Sequence, residues 1–90
     1  MKTIMAVCGS GLGSSFMVEM NITDVLNELG ISDYKASHNS LADATADQAD
    51  IFVTGLDLEA SASHLPNLIV LNSLLDKEEL KEKLKAKILR

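Results

Sequence analysis

The chain has 90 residues, 47% of them apolar, 23% charged and only 3% aromatic, with a net charge of −5. These numbers fit one domain with an aliphatic core and exclude a large internal ligand cavity, so any site is expected at the surface. Nucleic acid is excluded as a partner: residues 1–75 hold nine acids against two bases, and the basic excess is confined to residues 76–90.

Thr3–Cys8 is a nearly unbroken apolar run that ends in glycines. It predicts a parallel strand buried on both faces. A tight loop, Gly9–Gly13, follows, with Ser14 and Ser15 placed to cap a helix. Val18, Ile22, Val25, Leu26 and Leu29 recur at helical spacing, and Gly30 is a good stop. Ile31–Ser37 is expected as a second strand, with Tyr34 and Ala36 on one face. Leu41–Gln48 is expected as a short helix. Asp50–Thr54 reads as a third strand, Leu56–His64 as a short helix or an irregular loop, and Leu68–Leu71 as a fourth strand. The last helix is marked by a D-x-x-E capping box, Asp76 with Glu79, and by a hydrophobic staple, Leu75 with Leu80. Leu80, Leu84 and Ile88 form its apolar stripe, and its bases gather towards the C-terminus.

Alternating strands and helices predict a single α/β domain over residues 1–90: a four-stranded parallel sheet with helices on both faces. Ligands of such sheets bind beyond the carboxyl ends of the strands, where Cys8 ends the first one. Glycines 9, 11 and 13 let the backbone approach a bound group closely. Their N–H groups can converge on an anion, and the next helix aims its positive end at the same place. Ser10, Ser14 and Ser15 can add hydroxyl donors, and no carboxylate lies in Cys8–Val18. Such surroundings favour thiolate over thiol and make Cys8 a nucleophile for phosphorus.

Two phosphate-loop patterns fail here. A Walker A loop needs Lys where Ser14 stands, and a dinucleotide fingerprint needs Gly at the same position. The C-x5-R loop of low-molecular-weight tyrosine phosphatases lies closer, also at the end of a first parallel strand. Its arginine position is again Ser14, and the one arginine is Arg90. Without a bidentate guanidinium, phosphate on Cys8 rests on neutral donors and a helix dipole, which suits holding and onward transfer.

The stretch Ile4–Ser15, with its C-G-x-G-x-G-S-S form, resembles the phosphocysteine loop of enzyme IIB components of the bacterial sugar phosphotransferase system, and within them the ascorbate branch most. The lactose and galactitol branches resemble it more loosely. The resemblance implies a fold similar to that of the low-molecular-weight tyrosine phosphatases. It implies Cys8 as the phosphorylated residue, with Gly9, Ser10, Gly11, Leu12, Gly13, Ser14 and Ser15 around the phosphate. It also implies a IIA phosphohistidine donor, a membrane IIC component, and a transported sugar, with ascorbate among the candidates. No cofactor or metal is implied. One cysteine also excludes an internal disulfide and a multi-cysteine zinc site.

No secretory signal or membrane span is expected, so the protein is placed in the cytoplasm, peripheral to its transporter. His38 is expected just after the second strand and His64 just before Pro66. Loop histidines are ordinarily solvated, and either would touch the phosphate only if folding brought it there. Asp57 is expected as a loop or helix-start residue, and Lys35 as a cation that folding could carry to Cys8. Leu12 and Phe16 are candidate contacts for partners. Two other functions fit Cys8 less well: a small cysteine-dependent phosphatase and a noncatalytic anion-binding module.

Overall fold

The computed structural model describes residues 1–9 and 13–88, without the side chain of Ser14. Its elements are strands β1 (Lys2–Cys8), β2 (Tyr34–Ser40), β3 (Ile51–Gly55) and β4 (Leu68–Leu71), with helices α1 (Gly13–Leu29) and α2 (Lys77–Ile88). A 3-10 turn, Leu56–Leu58, follows β3. All strand pairs are parallel, in the order β2-β1-β3-β4. The two central strands are the unbroken apolar runs, because both of their faces are covered.

One face of the sheet packs Ile4, Ala6, Val53 and Leu71 against Val18, Ile22 and Val25 of α1 and Leu80 and Leu84 of α2. The other face packs Met5, Val7 and Phe52 against Ala44, Ala62 and Leu65. The expected three-layer α/β domain is thus observed. Both long helices share one face, and the third layer is the 3-10 turn with its neighbouring turns.

Several local expectations need correction. Leu41–Gln48 forms turns, not a helix. Ser40 Oγ donates to Asp43, Thr45 Oγ1 to Asp47, and the Thr45 N–H to Gln48 Oε1. These short polar side chains give the segment local partners in place of a helical ladder. Ala44 is still buried and Leu41 and Ala49 still pack beside it, so the apolar spacing reported burial correctly. β2 begins at Tyr34, not Ile31. The chain leaves α1 through Gly30 at φ 71°, with the Ile31 N–H bonded to Leu26 O at 2.9 Å and the Gly30 N–H to Asn27 O at 3.2 Å. That Schellman exit uses the residues assigned to the strand's start.

Only half of the capping box forms at α2. The Glu79 N–H donates to Asp76 Oδ1 at 3.1 Å, but the Asp76 N–H goes to Ser73 O. The Glu79 carboxylate instead accepts from the N–H groups of Asn72 and Ser73 and from Lys83. These donors, the Asn72 N–H first, hold its pKa down at about 2. The staple is not made as expected either: Leu75 is exposed, and Leu74 is the residue that packs on the core. Lys77 bridges to Asp24 and Glu28, and Lys81 to Glu28, across the two helices. Such exposed pairs add about 0–1 kcal/mol each.

Candidate functional site

Cys8 is the last residue of β1 and is buried, 7% exposed. From β1 the chain passes to β2 on one side and later to β3 on the other, so Cys8 stands where the strand order reverses. Crevices at such points are where open parallel sheets bind ligands. The strand end is firmly placed. Cys8 pairs in register with Ser40, and its carbonyl accepts the Leu41 N–H at 2.7 Å. The buried Thr54 hydroxyl donates to Val7 O at 3.1 Å.

α1 starts at Gly13, so Ser14 and Ser15 belong to its first turn and are not caps ahead of it. Ser15 is buried, at 1% exposure. No acid occupies that turn, which leaves the positive end of the helix uncompensated. Ser10, Gly11 and Leu12, and the side chain of Ser14, lie outside the described residues. Gly9 is exposed, and a Cβ built on it would sit 3.7 Å from both terminal methyls of Leu58. The 3-10 turn after β3 therefore stands beside Gly9.

Lys35 does not reach the site. It pairs with Thr3 near the opposite end of β1, about 16 Å of strand away from the level of Cys8. His64 is exposed in the turn before Pro66, and Asp57 is exposed in the 3-10 turn. His38 lies inside β2, not in a loop after it, and pairs in register with Ala6. Its Nδ1 is bonded to the Glu19 carboxylate, and its ring meets Phe16 edge-on with centroids 5.7 Å apart. This contact is not legible along the chain, because its partners belong to different elements.

A second feature is the position of exposed apolar side chains, of which Phe16 was expected as a partner contact and Leu56 and Leu75 were not. Phe16, Met17 and Met20 occupy the first two turns of α1 and are 50%, 49% and 53% exposed. Leu56 and Leu75, also exposed, follow β3 and β4. All five therefore lie towards the edge of the sheet that carries Cys8.

A thiol at the strand-order reversal of a small parallel sheet, followed by an acid-free helix start, defines an α/β protein of the architecture seen in low-molecular-weight tyrosine phosphatases. Residues 3–86 match the family described as PTS system, Lactose/Cellobiose specific IIB subunit, and the chain belongs to that family. Membership makes it a phosphocarrier of the sugar phosphotransferase system, a phosphotransferase that works with IIA and IIC components. No curated protein sequence matches the chain. Among the described residues, no helix is long and apolar enough to cross a membrane.

Proposed function

We propose that residues 1–90 form one IIB domain in which Cys8 carries the phosphoryl group. The observation behind this reading is the place of Cys8: at the carboxyl end of β1, where the strand order reverses, ahead of the acid-free start of α1. The Cys8 thiolate attacks the phosphorus of a IIA phosphohistidine. An S–P bond forms as the P–N bond breaks, and the electron pair returns to the donor imidazole. A sugar hydroxyl held by the IIC component then attacks the same phosphorus: an O–P bond forms as the S–P bond breaks, the electron pair returns to the Cys8 sulfur, and the hydroxyl proton is released to solvent. Gly9, Ser10, Gly11, Leu12, Gly13, Ser14 and Ser15 surround the phosphoryl group, offering backbone N–H groups and hydroxyls to its oxygens. An ascorbate-type acceptor is the finer form of this reading. It rests on the C-G-x-G-x-G-S-S form of the loop.

With no Arg or Lys between Lys2 and Lys35, the cradle holds phosphate loosely and the partner completes the charge around it. Phe16, Met17, Met20, Leu56 and Leu75 form the apolar rim against which partners dock, and the protein works in the cytoplasm, peripheral to its transporter. Transfer from phosphorylated IIA, followed in both directions, tests the carrier reading: ready reversal is expected, and one-way loading contradicts it. Turnover of an aryl phosphate that is abolished in Cys8→Ser would make the protein a phosphatase instead.

A further inference from the structure

The start of α1 is held by a polar contact as well as by the core. Val18, Ile22, Val25 and Leu26 bury one face of the helix in the core, from its second turn onwards. In the first two turns Val18 and Ser15 are buried, and Phe16, Met17 and Met20 on the outer side are half exposed. A polar contact is made at this same place. His38 Nδ1–H donates to the Glu19 carboxylate, and the His38 ring meets Phe16 edge-on with planes at 76°. The side chains of His38 and Glu19 are 32% and 25% exposed, so water competes only in part.

The register places this contact about 7 Å of strand from the level of Cys8. His38 is level with Ala6, and Ser40, two residues on, is level with Cys8. Tyr34 and Ala36 share the α1 side of the sheet with Ile4 and Ala6, and alternation puts His38 on that side too. A hydrogen bond combined with an edge-on ring adds a directional restraint on the rotation of α1 and its advance along the sheet.

We infer that the Glu19–His38–Phe16 clamp positions the Cys8 site, with His38 as a positioning residue that acts through α1. The clamp ties the first turns of α1 to the strand next to β1. It thereby sets where the helix N-terminus stands relative to the phosphoryl group on Cys8. This inference rests on the phosphocarrier reading. Its expected size follows from geometry, since a misplacement of about 1 Å can lower a rate by roughly 100-fold.

The test compares His38→Leu, Glu19→Leu and His38→Asn with the wild type. Asparagine keeps an N–H close to the position of Nδ1, whereas leucine keeps only bulk. Phosphoryl transfer from phosphorylated IIA is followed for kcat and KM, alongside thermal melting. Each leucine variant is expected to lose about tenfold or more in kcat with KM for the donor unchanged, and His38→Asn is expected to recover most of the rate. Two folded leucine variants that keep the wild-type kcat, or that change KM alone, overturn the proposal. So does His38→Asn if it is as slow as His38→Leu. If one leucine variant does not fold, the other and His38→Asn decide. A wild-type protein that accepts no phosphoryl group defeats the phosphocarrier reading instead. Alkylation of Cys8 by iodoacetamide then decides the role of the clamp: slowing by leucine with recovery by asparagine supports it, and equal rates overturn it.

Discussion

Gly9 and Gly55 both border the Cys8 end of the sheet, yet alanine should act on them in opposite directions. Neither has a backbone angle that penalises a side chain. At Gly55 the new Cβ would stand 2.8 Å from Asp57 Oδ1 and 3.2 Å from Cγ and Cδ2 of Leu74. The exposed Asp57 side chain can turn away cheaply. Leu74 is packed on the core and must give by a few tenths of an ångström. Overpacking of this kind costs about 1–3 kcal/mol, of which roughly 0.4–1 is returned by the stiffer unfolded chain. Gly55→Ala should therefore destabilise by about 1–2 kcal/mol, with each kcal/mol lowering the melting temperature by about 4–8 °C. At Gly9 the Cβ meets only Leu58, at an ordinary contact distance of 3.7 Å, among the described residues. Against the described residues the unfolded-chain effect is what remains, and it stabilises by roughly 0.4–1 kcal/mol. Urea denaturation of both variants measures the pair. Shifts of the same sign, or a loss above about 1 kcal/mol in Gly9→Ala, would refute the packing analysis.

Leu80→Ala empties a fully buried position between α2 and the sheet and should cost about 2–5 kcal/mol in urea denaturation. Glu79 has its pKa depressed to about 2, so the stability it adds is present above its ordinary value and is lost as pH falls towards 2. Glu79→Gln should therefore melt below wild type at neutral pH, with the gap closing between about pH 5 and pH 2; a gap independent of pH contradicts this. Met17→Asp places a charge on the apolar rim and should raise KM for phosphorylated IIA while leaving the melting temperature close to wild type. An unchanged KM would remove Met17 from the docking surface.

What the sequence disclosed depended on how far along the chain each physical cause reached. β1 and β3 were legible because strands buried on both faces need consecutive apolar residues, and Ile4–Val7 and Ile51–Val53 supply them; Leu68–Leu71 is as apolar, though in the edge strand β4 only Ile69 and Leu71 are buried. α1 and the stripe of α2 were legible from their spacing. The segment around Leu41–Gln48 was misread because Leu41 and Ala44 are apolar for the core, while Ser40, Asp43 and Thr45 set the backbone locally. The thiol and the helix start beside it are neighbours in sequence, so their juxtaposition could be foreseen. The pairing of Glu19 with His38 could not, because it depends on how β2 lies beside α1. The rim of Leu56 and Leu75 was hidden for a similar reason: its members follow different strands.

The most direct test of the phosphocysteine is the intact mass of the protein after incubation with phosphorylated IIA, for wild type and Cys8→Ser. Wild type should gain one phosphoryl mass, located on Cys8 by fragmentation, and Cys8→Ser should gain none. A phosphoryl mass retained by Cys8→Ser would show that the phosphate travels on another residue.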